Sequence, residues 1–150
     1  MIKIGVISDT HGLLRDEVIA TLQDCKLILH AGDINQPEIV ERLREIAPLY
    51  VVRGNNDKGD WANEIPISLE FEIEGYRFYM AHQKKDVPKE YAHWDFIIIG
   101  HSHKYSEEKQ EGTILLNPGS CGKRRFGLEI SMAVLEINRQ HIDIQKIVLL

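Results

Sequence analysis

The N-terminal third of the chain alternates between short apolar runs and amphipathic stretches. Three apolar runs have the length of buried strands: residues 2–7, 26–29 and 49–52. Between them, apolar side chains recur at helical spacing over residues 15–24 and over a segment that Pro37 opens and that ends near Ile46. This alternation of strands and helices with short connections predicts parallel strands joined by right-handed crossovers.

The rest of the chain is richer in strand patterns. Alternating segments predict two hairpins, and apolar runs predict two further buried strands. The hairpin strands are 67–73 with 76–81 and 129–137 with 141–149, and the single strands are 96–99 and 114–116. A short helix is predicted at 89–93. The pattern as a whole predicts one α/β domain over residues 1–150, with two stacked sheets and helices outside them.

Polar side chains follow most of the predicted strands at their carboxyl ends. Ligands bind at this edge in open α/β sheets, because the loops after parallel strands meet there. The residues at these positions are Asp9, His11, His30, Asp33, Asn55, Asn56, Asp57, His82, His101 and His103. Their recurrence predicts a shared site built from carboxylate, amide and imidazole groups. For His30, contact with this site and plain packing are both open.

The spacing of these residues favours metal binding. Asp9 and His11 are two residues apart, as are His101 and His103, so in extended backbone each pair points to one side and can hold one ion. Asp33 is the natural carboxylate to lie between two cations, since it follows a central strand. Mixed carboxylate, amide and imidazole ligands favour Mn²⁺, Fe²⁺, Ni²⁺ or Zn²⁺ over Ca²⁺.

The order of these motifs is similar to that of a known family. Along the chain they read Asp9-x-His11, Gly32-Asp33, Gly54-Asn55-x-Asp57, His82 and Gly100-His101-x-His103. This series resembles the calcineurin-like metallophosphoesterase superfamily. The short length and the stretch Asn117-Pro118-Gly119-Ser120 resemble its small bacterial and archaeal phosphodiesterase branch. The resemblance implies a four-layer α/β/β/α sandwich with two mixed β-sheets flanked by helices, in agreement with the hydrophobic pattern.

The resemblance also implies a ligand set for two divalent metal ions per chain. The first ion would be held by Asp9, His11, Asp33 and His103, and the second by Asp33, Asn55, His82 and His101. Asp33 would bridge them. Manganese is the expected metal, with zinc, nickel, iron or magnesium as alternatives. The implied activity is hydrolysis of a phosphodiester bond by attack of a metal-bridging hydroxide.

The remaining roles at the site are likewise implied by the resemblance. Catalytic roles are expected for Asn55, Asp57 and His82, and substrate contacts for Asn55, Asn56 and His82. Asp57 is expected to act by orienting a ligand histidine or the loop. Many superfamily members have histidine in place of Asn56, and asparagine cannot act as a general acid near pH 7. We therefore predict a preference for substrates with good leaving groups, such as aryl phosphodiesters. Gln83 stands at a position where glycine commonly follows the ligand histidine in the family, and no role is assigned to it.

Two other functions compete with phosphodiester hydrolysis. A phosphomonoesterase or nucleotidase could use the same metals, but no motif residue supplies the cationic side chain that a dianionic monoester would favour. A non-catalytic interaction scaffold is the third alternative, because the related retromer subunit Vps29 serves in this way with a degraded site. A scaffold is free to lose ligands, whereas all seven are present here.

Charge and composition limit the classes of binding partner that are expected. The formal net charge of −5 argues against a stable complex with nucleic acid, and Lys123–Arg125 is only a short basic cluster. No apolar stretch has the length of a membrane span, and the two cysteines give no disulfide framework. The expected partner is a small phosphodiester substrate in the cytoplasm, with no membrane contact. The closing hairpin offers an edge for a homo-oligomer, a dimer or a tetramer.

Overall fold

Two five-stranded sheets make up most of the structure. The computed structural model describes residues 1–125 and 127–149, and over these residues the chain forms ten strands, three α-helices and a 3₁₀ helix at Lys84–Asp86. The strands are β1 (Ile2–Ile7), β2 (Leu27–His30), β3 (Leu49–Val51), β4 (Ser68–Ile73), β5 (Tyr76–Ala81), β6 (Phe96–Ile98), β7 (Ser106–Gln110), β8 (Thr113–Asn117), β9 (Ile130–Asn138) and β10 (His141–Leu149). The α-helices are α1 (Asp16–Leu22), α2 (Pro37–Ile46) and α3 (Asp60–Asn63).

Both sheets are mixed. The first has the order β10-β9-β1-β2-β3, in which β1, β2 and β3 are parallel and β9 and β10 run antiparallel to their neighbours. The second has the order β4-β5-β6-β8-β7, in which β5, β6 and β8 are parallel and the two edge strands are antiparallel. Each sheet therefore brings the carboxyl ends of three parallel strands to one edge.

The core lies in layers between and outside the sheets. One apolar cluster joins the facing sides of the two sheets, where Val6 and Leu29 of the first pack with Phe78, Phe96 and Ile98 of the second. A second cluster joins the outer side of the first sheet to α1 and α2, whose buried residues are Val18, Leu22, Ile39, Val40 and Leu43. The outer side of the second sheet packs against Val87, Tyr91 and Trp94 in the segment after β5.

The predicted fold is confirmed as two stacked mixed sheets with flanking helices, and most predicted elements agree within two residues. The helix predicted at 89–93 is wrong, because the short helix of this region is the 3₁₀ turn at Lys84–Asp86. The carbonyl groups of Tyr91 and Trp94 instead accept hydrogen bonds from Thr113 Oγ1, both at 2.6 Å. These bonds attach a hydrogen-bonded turn, in which the N–H of Trp94 donates to the carbonyl of Tyr91, to β8. Five residues gain little from an isolated helical turn.

The helices of residues 1–125 and 127–149 are short. None of the helices there combines the length and the apolar character that crossing a bilayer requires.

Candidate metal centre

Loops from both sheets converge to form one cluster of polar side chains. Asp9 and His11 follow β1, Asp33 follows β2, His82 follows β5, and the loop after β6 provides His101 and His103. Five of these side chains are almost fully buried, namely Asp9, His11, Asp33, His82 and His103. His101 is exposed, as is Asn55 in the loop after β3. The cluster therefore has a buried floor and an open side.

The side chains fall into two groups that could each hold one cation. One group is Asp9, His11 and His103, and the other is Asp33, His82 and His101; within each group the donor atoms all lie within 4.8 Å of one another. In the first group, Nε2 of His11 lies 3.2 Å from Nε2 of His103, and both nitrogens lie 3.4 Å from Oδ1 of Asp9. Ligand atoms that are each about 2.1 Å from a shared cation are separated by roughly 3–3.5 Å.

Asp33 and Asp9 each belong to one group and also approach a histidine of the other group. Oδ2 of Asp33 is 3.2 Å from Nε2 of His82 and 3.6 Å from Nε2 of His11. Oδ1 of Asp9 also approaches Nε2 of His82, at 3.8 Å. The other oxygen of Asp9 accepts hydrogen bonds from Ser8 Oγ at 2.6 Å and from the backbone N–H of His101 at 3.1 Å. Distance alone therefore does not single out one bridging carboxylate.

His82 is held in one tautomer. Its Nδ1 lies 2.7 Å from the carbonyl oxygen of Ala31, which can only accept, so Nδ1 carries a proton. Its Nε2 is thereby turned towards the carboxylates. Among the described residues, neither this Nε2 nor Oδ1 of Asp9 has a hydrogen-bond partner, although both are buried. A buried oxygen or nitrogen with a free lone pair can coordinate a metal ion. The residues therefore fit a metal site.

The electrostatics of the cluster favour cations. Burial alone would raise the pKa of the Asp33 carboxyl, but contact with His82 and donation from Asn56 hold that pKa well below its usual range. Burial also opposes ionisation of Asp9, yet contact with His11 and the charge of His82 lower its pKa. Burial would lower the pKa of His82, whereas Asp33 and Asp9 raise it. Both carboxylates are therefore ionised at neutral pH.

Asp57 organises the loops beneath the cluster. Its Oδ1 accepts the backbone N–H groups of Ile34 and Asn35, both at 2.8 Å. Its Oδ2 accepts those of Asp33 at 3.0 Å and Gly54 at 2.8 Å. The carboxylate thus fastens the loop after β2 to the loop after β3. Its contacts run to backbone, which fits the expected orienting role.

Asn55 and Asn56 contact different members of the cluster. Oδ1 of Asn55 lies 3.1 Å from Nδ1 of His101, on the open side. The backbone N–H of Asn56 donates to Oδ1 of Asp33 at 2.9 Å, and its side-chain amide donates to Oδ2 at 3.0 Å. Asn56 therefore holds the Asp33 carboxylate in place. Nε2 of Gln83 is 3.5 Å from Nε2 of His101.

His30 links the first two site loops. Its Nδ1 accepts the backbone N–H of Gly32 at 3.1 Å, so Nε2 carries the proton and donates to Oγ1 of Thr10 at 3.0 Å. Complete burial lowers its pKa to about 4, so the ring is neutral. The imidazole therefore connects Thr10, which follows Asp9, to Gly32, which precedes Asp33.

The Asn117–Ser120 stretch forms a turn and also contacts the loops of the cluster. Oδ1 of Asn117 accepts the N–H of Gly119 within the turn, and its Nδ2 donates to the carbonyl of Gly100 at 3.0 Å. Oγ of Ser120 donates to the carbonyl of Asp9, also at 3.0 Å. The turn therefore joins the loops after β1 and β6.

Ser8, which sequence reasoning missed, is detectable only as a hydroxyl that directly precedes a predicted ligand.

Backbone strain is concentrated at the cluster. Of the eight described non-glycine residues with φ between 47° and 74°, five belong to the cluster: Asp9, His11, Asp33, His101 and His103. This conformation costs an ordinary residue about 1–2 kcal/mol. Strain of this kind persists where surrounding contacts impose it, and it collects at functional sites.

Two mixed sheets with a carboxylate and histidine cluster at their strand ends are typical of metallophosphoesterases. The chain belongs to the calcineurin-like phosphoesterase superfamily, whose domain profile matches residues 2–140. A family of this kind binds divalent metal ions and hydrolyses phosphate esters, and both groups of donor side chains described above suit that chemistry.

Individual relatives support this membership. A probable metallophosphoesterase of Methanothermobacter thermautotrophicus is 36% identical over 155 residues, covering 93% of this chain and 88% of the relative. Phosphodiesterase MJ0936 of Methanocaldococcus jannaschii is 26% identical, covering 79% of this chain and 84% of the relative. The crystal structure of a D62A mutant of Vps29 from Entamoeba histolytica superposes with a TM-score of 0.79 at 20% identity, covering 99% of each chain. That last likeness shows a shared fold.

Proposed function

We propose that the protein is a dinuclear metal-dependent phosphodiesterase that acts on small phosphodiesters. The observation that carries the proposal is the pair of donor groups, with buried ligand atoms on Asp9 and His82 that have no hydrogen-bond partner among the described residues. The name of phosphodiesterase MJ0936, a relative over most of the chain, supports the choice of diesters.

Each donor group would hold one cation. Asp9, His11 and His103 would hold the first, and His82, His101 and Asn55 the second, with Asp33 shared. Manganese is our first candidate, since the donors mix carboxylate, amide oxygen and imidazole. When bound, two divalent cations act as Lewis acids on the phosphoryl group and lower the pKa of a water molecule, so that hydroxide is available to attack phosphorus near neutral pH.

The side chains of this protein orient the reacting groups. The Ala31 carbonyl fixes the tautomer of His82, and Asn56 holds Asp33, so both present donor atoms without rearrangement. Asn55 is exposed beside His101 at the open side, where its amide N–H can donate to a phosphoryl oxygen. The amide of Asn56 is neutral and bound to Asp33. It therefore supplies no proton to the leaving group.

A turnover assay tests the proposal. With Mn²⁺ present, we expect hydrolysis of bis-p-nitrophenyl phosphate to exceed that of p-nitrophenyl phosphate in kcat/KM. His82→Ala should reduce diester turnover by about 10²-fold or more, since it removes a ligand whose orientation the fold has fixed. His141→Ala is the matched control, because this exposed histidine lies on β10. Faster monoester hydrolysis would favour the phosphomonoesterase, and no metal-dependent turnover would favour the scaffold.

The leaving-group dependence provides a second prediction. Because Asn56 cannot protonate a departing oxygen, we expect the rate for a series of aryl phosphodiesters to rise steeply as the pKa of the leaving phenol falls. Asn56→His should flatten this dependence and add an ionisation to the pH–rate profile. The measurement is kcat/KM across the series for both proteins. A flat dependence in the wild type would contradict the proposed absence of a general acid.

A further inference from the structure

An open cleft of about 380 Å³ adjoins the second donor group. Asn55 and His82, which belong to the candidate metal centre, form part of its lining. The lining also includes Arg53, Lys58 and Lys85, none of which belongs to either donor group. The cleft is thus continuous with the open side of the site, and most of its charged side chains have no part in holding metal.

The positive charges of the cleft come from both sheets. Arg53 and Lys58 belong to the loop after β3 in the first sheet, and Lys85 belongs to the 3₁₀ helix after β5 in the second. Cationic groups on two sides of a cleft can enclose an anion, whereas charges along one strand or helix usually form a solvated face. This placement is notable in a chain with a net charge of −5.

Few negative charges oppose these cations. Asp57 and Asp86 also line the cleft, but both oxygens of Asp57 are bound to backbone N–H groups. Over residues 1–125 and 127–149, no carboxylate lies within the 4.0 Å ion-pair distance of Arg53, Lys58 or Lys85. The guanidinium of Arg53 donates to the amide oxygen of Asn63 at 3.1 Å, which leaves its positive charge without a carboxylate partner among these residues. The lysine amines are therefore available to a ligand.

An apolar contact completes the cleft. Ile67 lines it with 47% of its surface exposed, so it presents an apolar side chain beside the cationic groups. A ligand that carries both an anionic group and an apolar surface would suit this combination.

We infer that the cleft is a subsite for a second phosphate group, so that the substrate is a phosphodiester bearing an additional phosphomonoester. This inference rests on the proposed function, since the scissile phosphate would lie at the metal centre. Lys58 and Lys85 bind the second phosphate from two sides, and Ile67 contacts the group that joins the two phosphates. Such a substrate carries more negative charge than a simple diester, and the cleft selects it for that reason.

Two chromogenic substrates that differ only in the second phosphate test the inference. One is the p-nitrophenyl ester of thymidine 5′-phosphate, and the other is the same ester with an added 3′-phosphate. We expect kcat/KM of the manganese-loaded enzyme to be roughly tenfold higher for the second substrate, mainly through KM, since each exposed lysine contact contributes a few-fold. The preference should weaken as salt is added.

Variants separate a local contact from a general effect of charge. Lys58→Gln/Lys85→Gln should bring the ratio of the two kcat/KM values close to one. Lys84→Gln/Lys109→Gln removes the same charge from two exposed residues that do not line the cleft, and it should keep the wild-type ratio. Equal kcat/KM values in the wild type, or a preference that both double variants lose alike, would overturn the inference.

Binding measurements keep this test distinct from that of the proposed function. If neither ester is hydrolysed, the proposed phosphodiesterase activity fails. Calorimetry then compares thymidine 3′,5′-bisphosphate with thymidine 5′-phosphate on the metal-loaded protein. Tighter binding of the bisphosphate that Lys58→Gln/Lys85→Gln abolishes would support the subsite, and equal affinities would overturn it.

Discussion

Replacing Asp33 with asparagine is expected to lower kcat/KM for phosphodiester hydrolysis by about 10³-fold, because the loss of several kcal/mol of metal-dependent stabilisation corresponds to that factor. Asp33 is the shared ligand in the proposed centre, and its Oδ2 lies 3.2 Å from His82 and 3.6 Å from His11. The amide would remove a negative charge that both cations need. We therefore expect both metal affinities to fall together.

The measurement combines kinetics with metal content. Elemental analysis of the purified variant, reconstituted with Mn²⁺, should show well under the metal content of the wild type. Asp24→Asn makes the same chemical change at an exposed residue after α1 and should retain both metal and activity. A variant that keeps two metals and loses activity would contradict the bridging assignment. So would one that keeps both metals and its activity.

The sequence was informative about this site because its strand ends are well marked. The apolar runs before Asp9 and Asp33 end within two residues of the predicted positions, and parallel pairing of β1 with β2 brings their loops together. The approach of Asp9 and His101, 92 residues apart, depends on the stacking of two separate sheets. The hydrophobic pattern predicts the two stacked sheets, whereas the assignment of Asp9 and His101 to two different metal ions comes from the resemblance to a known family.

Other features lacked a sequence signal. β7 has the sequence SEEKQ, and all but one of its residues are exposed, so no apolar alternation marks it. It forms because its backbone pairs with β8, from Ser106 opposite Asn117 to Gln110 opposite Thr113. An edge strand of charged residues is protected from pairing with other chains, but it resembles a loop in sequence.

The sequence also does not predict the backbone conformation of the loops that carry the proposed metal ligands. The two-residue spacing of Asp9 and His11 predicts extended backbone, and this prediction is wrong, because both residues have positive φ, 57° and 47°. The same holds for His101 and His103, at 74° and 64°. Asp9 and His11 share one donor group, whereas His101 and His103 belong to different groups, so the prediction that these two histidines hold one ion together is wrong. Local preference disfavours these loops, so the tertiary contacts that select them have to be seen in the structure.

Those contacts make Asp57 the site of the second large effect. Asp57→Asn is expected to destabilise the protein by about 3 kcal/mol or more. An asparagine oxygen can replace only one carboxylate oxygen, so two of the four backbone N–H groups would face an NH₂ group and lose their acceptor. Each buried donor left without a partner costs about 1–3 kcal/mol. For a chain of this size, the melting temperature should fall by roughly 6–12 °C.

The same substitution separates an orienting role from a direct chemical one. Because Asp57 fastens the Asp33 loop to the Gly54 loop, we expect metal affinity to fall in parallel with stability, and excess Mn²⁺ to restore part of the activity. Asp60→Asn, at an exposed residue that begins α3, serves as the matched control in thermal unfolding. An Asp57→Asn variant that unfolds at the wild-type temperature, binds Mn²⁺ normally and is inactive would show that the carboxylate acts on the reaction itself.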